Sequence, residues 1–238
     1  MRHRPRVEPL LWAREHVRGP VLPVPSTPCA LDTADLHGSS EIGLMRIRRF
    51  VAKTYMLFSR WTFVHEPLED KTLVIGAPHT SNWDGVFMAL CFWSLGRPFN
   101  FLVKESVTRV PLLGPFVRAI GGMPIDRSAA HGVVGQVVAR AAEADEFTVV
   151  LTPKGTRSPR RYWKSGFYRM ALGAGLPVAL GYVDAKTRTF GWGPSIRLSG
   201  DPKADMDVIR AFYADKVGVN PELASVARLR IEDEESGS

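Results

Sequence analysis

The sequence predicts a single α/β domain, a mostly parallel sheet flanked by helices, preceded by a basic amphipathic helix suited to a membrane surface. Three features predict it. Leu73-Val74-Ile75 is a short β-prone run, followed within ten residues by apolar positions at helical spacing, Trp83, Val86, Phe87 and Leu90. The run 147–151 is continuously β-prone, as a strand buried on both faces requires. Strand-like and helix-like stretches then alternate, which implies crossovers and parallel neighbours. With 238 residues, 45% of them hydrophobic, the chain has ample material for one such core.

Residues 1–40 carry Pro5, Pro9, Pro20, Pro23, Pro25 and Pro28 among arginines and serines. Proline interrupts helices and ladders alike, so an extended or disordered arm is expected, and no secretory signal is visible in it. Residues 41–66 change texture: there is no Gly or Pro over 44–66, and Ile47, Phe50, Val51, Tyr55, Met56 and Phe58 alternate with Arg46, Arg48, Arg49, Lys53 and Arg60. The pattern predicts a helix with one aromatic- and Met-rich side. Such a helix lies on anionic membrane surfaces, or packs its apolar side on the core with solvated arginines; both readings stand at this level.

The domain proper is expected over 67–231. It opens with a strand over 73–76 and a helix over 83–95. A strand over 100–103, a short amphipathic segment over 111–120 and a strand over 121–127 follow. A helix over 133–144 leads into the central strand 147–151. Later strands are expected over 176–183 and 190–198, a last helix over 204–217, and a frayed acidic tail over 232–238.

Thirty-one Lys and Arg against twenty-four Asp and Glu give a formal charge of +7, which implies an anionic partner: nucleic acid, a membrane surface or a phosphorylated ligand. Nucleic-acid modules interleave aromatics with their basic groove, and that pattern is missing, so no nucleic acid is expected. Cys29 and Cys91 have neither metal-type spacing nor a disulfide framework. No metal is therefore expected, and a reducing compartment is. The longest nearly uncharged apolar stretch, 85–95, falls short of the ~20 residues that span a bilayer. The expectation is a cytoplasmic protein, peripheral on the inner face of the cell membrane.

Two constellations carry chemistry. In the stretch 77–84, His79 falls in a strand-to-helix turn and Asp84 in the first helical turn. Residues five apart within one helix point roughly 140° apart. With His79 on the turn that objection lapses, and a carboxylate-oriented imidazole at a strand's carboxyl end is a general-base arrangement. Asp84 could otherwise merely stabilise the helix N-terminus. The second constellation follows the central strand: Thr152-Pro-Lys-Gly-Thr-Arg-Ser158, then Arg160, Arg161, Lys164 and Arg169, with no carboxylate between Glu146 and Asp184. Arg157 offers a forked donor, Gly155 lets backbone amides approach, and Thr156 or Ser158 adds a hydroxyl. This is phosphate-binding chemistry, although an exposed basic loop without a ligand would look the same. Arg127, at another strand end, could turn toward the same mouth.

Taken together these blocks resemble the glycerolipid acyltransferase superfamily, typified by 1-acylglycerol-3-phosphate O-acyltransferase. The resemblance rests on His79 and Asp84 as His-x4-Asp; on Gly122, Asp126 and Arg127; on Pro153, Gly155, Thr156, Arg157 and Ser158; and on Leu176-Pro177-Val178, in the family's order over roughly 72–184. Lys104 also matches a family lysine. Where the family carries glutamate before its glycine, this chain carries Lys154. The resemblance implies transfer of a fatty acyl group from acyl-CoA or acyl carrier protein to a lysophospholipid hydroxyl in phospholipid biosynthesis, without a resident cofactor. It implies His79 as base, Asp84 as its orienting group, and Arg127, Lys154, Gly155, Thr156, Arg157 and Lys104 around the acceptor phosphate. Competing expectations are a thioester or lysophospholipid hydrolase and a non-catalytic basic lipid- or nucleic-acid-binding module.

Overall fold

The computed structural model describes residues 33–126 and 132–234. The arm 1–32, Arg127 and the last tail residues lie outside them. Within them the chain forms one seven-stranded sheet in the order β1-β7-β6-β2-β5-β3-β4. The strands are β1 (Thr62–His65), β2 (Lys71–Ala77), β3 (Asn100–Lys104), β4 (Gly122–Ile125), β5 (Phe147–Leu151), β6 (Val178–Asp184) and β7 (Thr189–Ile196). Every pairing is parallel except β6 with β7. The single-domain α/β expectation therefore holds.

Strand alternation divides β2 between two cores. Leu73 and Ile75, each 0% exposed, belong to one cluster with Val149, Val178 and Leu180; Val74 belongs to the other with Ala179. Helix α2 (Trp83–Leu95) packs Phe87, Leu90, Cys91 and Phe92 into the second cluster. Helices α5 (Gly132–Glu143), α6 (Gly166–Ala174) and α7 (Pro202–Tyr213) pack into the first. Right-handed crossovers demand this division: a connection moving one way along the sheet covers one face, and a connection moving back covers the other. The chain leaves β2 through α2 to reach β3, and leaves β5 through α6 to reach β6. The carboxyl ends of β2 and β5 are adjacent, and their connections depart over opposite faces. That opens a crevice between them, the usual ligand position in such sheets.

The predicted helix over 41–66 is corrected at both ends. Helix α1 runs Thr33–Phe58, so residues 33–40 of the expected arm are helical, and 62–65 is the edge strand β1. Ala52 is fully buried, with Tyr55 and Met56 packed against the second cluster. Ile47, Phe50, Val51 and Phe58 remain 46–81% exposed. At about 100° per residue the exposed apolar stripe lies roughly a third of a turn from the core stripe, and Arg46, Arg49 and Lys53 form a third. One face of this helix thus packs on the core, as the second reading expects, while another leaves an apolar stripe exposed. Arg48 belongs to neither: it donates to the Ala119 carbonyl and lies over the Trp93 ring. Among the described residues no helix is long and apolar enough to cross a membrane.

Two further elements depart from expectation. The basic stretch after β5 contains α6, whose Phe167, Tyr168, Met170 and Ala171 are buried. The acidic tail is not frayed at its start: α8 (Ile231–Glu234) buries Glu232, which accepts from Arg210 at 2.7 Å and from the Leu229 amide.

Candidate active site

The turn after β2 builds the site. Helix α2 begins at Trp83, so Asp84 occupies its first turn, where the helix dipole favours a carboxylate. Asp84 Oδ2 accepts from His79 Nδ1 at 3.1 Å, from the Thr80 amide at 2.8 Å and from the Ser81 amide at 2.9 Å. A carboxylate accepts only, so Nδ1 is the protonated nitrogen and Nε2 is left basic. The side chains of His79 and Asp84 are 20% and 11% exposed: sheltered, yet reachable. Asn82 is the helix N-cap residue but makes no side-chain cap bond; Ser81 Oγ accepts from the Trp83 amide instead. That releases Asn82 Oδ1, which accepts from Arg157 of the loop after β5. The two constellations singled out in the sequence are therefore in contact.

They share a cleft of about 990 Å³. One end is polar, with His79, Asn82, Asp84, Gly155 and Lys164 on its wall. The rest is apolar, walled by side chains such as Met88 and Trp93 of α2, Phe101 of β3 and Phe116 of α4 (Leu113–Ala119). A long apolar group fits one part and an anionic head the other.

The remaining candidates are distributed unevenly. Gly155 has φ +66°, and a Cβ there would lie 2.9 Å from Lys164 Cε, so the glycine gives Lys164 its passage along the cleft wall. Lys154 is corrected: it is 3% exposed, and its ammonium donates to the carbonyls of Arg157 at 3.1 Å and Leu223 at 2.6 Å. Burial lowers its pKa below the ordinary lysine range, while attraction to Asp84 works against that. A cation committed to two internal carbonyls is unavailable to a phosphate. Thr156 Oγ1 accepts from the Ser158 amide, closing its own loop, and Thr156 is not on the cleft wall. Lys104 is exposed at the end of β3, also off the wall. Arg127 lies outside the described residues.

Sequence reasoning missed three participants. Lys164 stood in the basic run without a motif to single it out. Asn82 carries no signal in the sequence beyond that of a residue type suited to cap a helix. Asn220 is tied to this turn from 140 residues away: its side-chain amide donates to the Thr80 carbonyl at 2.9 Å, and its backbone amide to Thr80 Oγ1 at 3.2 Å. No local signal marks it. Among the described residues no group of three or more His, Cys, Asp or Glu could hold a metal ion.

Comparison with known proteins agrees with this architecture. The family model described as Acyltransferase matches residues 60–179, about half of the chain. A 1-acyl-sn-glycerol-3-phosphate acyltransferase of Streptococcus pneumoniae (strain ATCC BAA-255 / R6) is 26% identical over 91 residues, 38% of this chain and 34% of that protein. The match thus spans about a third of that curated relative's length. Among solved structures, the 1-acyl-sn-glycerophosphate (LPA) acyltransferase PlsC of Thermotoga maritima superposes with a TM-score of 0.51 at 13% identity, over 74% of this chain and 81% of that one. At that identity the likeness is one of fold.

Proposed function

We infer that this chain, which belongs to the Acyltransferase family, transfers an acyl group from a thioester to the hydroxyl of a lysophospholipid, 1-acylglycerol-3-phosphate being the acceptor that its cleft suits best. The observation that carries this reading is the 3.1 Å bond from His79 Nδ1 to Asp84 Oδ2 at the polar end of an otherwise apolar cleft. An alcohol is a poor nucleophile near neutral pH and needs a base at its proton. His79 Nε2 takes that proton as the hydroxyl oxygen attacks the thioester carbonyl. The C–S bond then breaks, and the imidazolium returns the proton to the departing thiolate. Asp84 holds the tautomer and stabilises the imidazolium. No protein nucleophile is required, and no cofactor beyond the thioester, acyl-CoA or acyl carrier protein, takes part.

On this reading Arg157 and Lys164 hold the acceptor's phosphate; the first is bonded to Asn82 of the cleft wall and the second is part of that wall, which supports the assignment. The experiment is an acceptor panel, with and without phosphate, assayed with one labelled acyl thioester. Acylated lipid is expected rather than free fatty acid; release of fatty acid alone would make the protein a hydrolase. Arg157→Ala should raise the KM for the phosphorylated acceptor about tenfold or more, the usual worth of a charge-assisted contact, and leave the thioester KM unchanged. Equal losses for both substrates would remove Arg157 from the acceptor site.

Helix α1 is the proposed seat on the membrane, at the inner face of the cell membrane. Its exposed stripe of Ile47, Phe50, Val51 and Phe58 lies beside Arg46, Arg49 and Lys53, the pairing of apolar and cationic faces that anionic bilayers retain. Changing those three cations to Gln should weaken sedimentation with anionic vesicles roughly 100-fold, at about 1 kcal/mol per charge. Undiminished sedimentation would overturn the seat. Arg48 is unsuited to this test because it is engaged with Ala119 and Trp93.

A further inference from the structure

We propose that the segment 217–223, together with Lys154, is a positioning strap for the catalytic turn, Asn220 tying it to the turn and Lys154 tying it to the cationic loop. The inference rests on the reading of His79 and Asp84 as the catalytic pair.

The strap lies beyond the span 60–179 matched by the family model. Its start is moored to the end of β6: the Ala185 amide donates to the Val217 carbonyl at 2.7 Å, and the Val217 amide to Asp184 Oδ1 at 3.1 Å. Gly218 then presses on the turn so closely that a Cβ would lie 2.6 Å from Thr80 Oγ1 and 3.1 Å from Pro78 Cγ. Asn220 grips Thr80 from both sides, donating to its hydroxyl and its carbonyl. Thr80 is 1% exposed, and its own amide donates to Asp84 Oδ2, the atom that also holds His79. Leu223, at the strap's far end, accepts from Lys154 at 2.6 Å. Lys154 also donates to the Arg157 carbonyl, and Arg157 reaches back to Asn82 of the turn. The turn, the cationic loop and the strap thus form a closed ring of hydrogen bonds around the imidazole's support.

The two roles separate in two variants. Asn220→Ala removes the side-chain tie without touching any charge. Its kcat should fall roughly 10- to 100-fold, the usual cost of a turn displaced by a fraction of an ångström, with the thioester KM unchanged. Lys154→Gln is too short to hold both the Leu223 and the Arg157 carbonyl, so it loosens the strap's far end, and its kcat should fall in the same direction with the thioester KM unchanged. Circular dichroism and a thermal melt establish that each variant is folded. Asn220 is half-buried and leaves no core cavity, so Asn220→Ala decides the matter even if Lys154→Gln unfolds. Wild-type kcat in Asn220→Ala, with His79→Ala inactive, would overturn the strap alone. Activity retained in His79→Ala would instead overturn the catalytic reading on which it rests.

Discussion

Replacing His79 by alanine should leave a folded protein whose acyl transfer falls about 10²- to 10⁴-fold, the range that a positioned base supplies. The fold has little reason to change: His79 contributes one hydrogen bond to the turn, while the Thr80 and Ser81 amides keep their grip on Asp84. The loss should appear in kcat, because on the proposed mechanism the imidazole acts on the proton in flight, and the rest of the cleft wall is unchanged. Asp84→Asn should cost a comparable factor for a different reason. The amide oxygen must keep the place that accepts from the Thr80 and Ser81 amides and from Nδ1, so the tautomer survives while the negative charge that stabilises the imidazolium is lost. The double variant should then be scarcely worse than either single one, since two groups acting as a unit are removed only once. Steady-state kinetics with one thioester and one acceptor checks all three. Most of the activity surviving in His79→Ala would end the assignment.

The second large effect belongs to stability. Trp192→Ala should cost about 3–5 kcal/mol, read as a lowered urea midpoint with an unchanged slope. Trp192 is 1% exposed, stacks on Phe92 with ring centroids 4.9 Å apart, and meets Phe63 edge-on at 5.5 Å. Its indole also donates to the Glu66 carbonyl at 2.8 Å, next to the short strand β1. Removing it opens a cavity between β7 and α2 and frees the carbonyl beside the sheet's edge. Set against the about 5–15 kcal/mol of an ordinary domain, that loss is at least a fifth of the total. Trp192→Phe, which retains a ring but not the donor, should recover much of the loss. A midpoint shift near zero for the alanine variant would mean that this cluster does not anchor the edge of the sheet.

How far the sequence could be read follows from how local each determinant is. The bounds of α2 and β5 were legible because periodicity and a β-prone run are properties of a dozen residues or fewer. So was the His79–Asp84 pair, whose geometry depends on one strand-to-helix turn. Strand β1 was not legible: it is four residues long and takes its identity from pairing with β7, as Phe63 does with Phe190. Helix α6 was hidden inside a stretch whose arginines dominated its apolar positions. Lys154 shows the limit most plainly. Sequence placed it in a cationic loop beside a phosphate, yet the Leu223 carbonyl, 69 residues further on, captures its ammonium and buries it. Long-range partners decide burial, and burial decides what a charge can do.

Helix α1 packs directly against α2, and α2 supplies Val86, Met88 and Trp93 to the greasy wall of the cleft. On the proposed seat of α1, that wall stands next to the hydrocarbon in which the proposed acceptor and its acylated product dissolve. Each methylene dragged through water would add about 0.8 kcal/mol to the journey. A sideways exchange between cleft and leaflet avoids the toll, so turnover should follow how crowded the acceptor is within the membrane plane rather than its amount per millilitre.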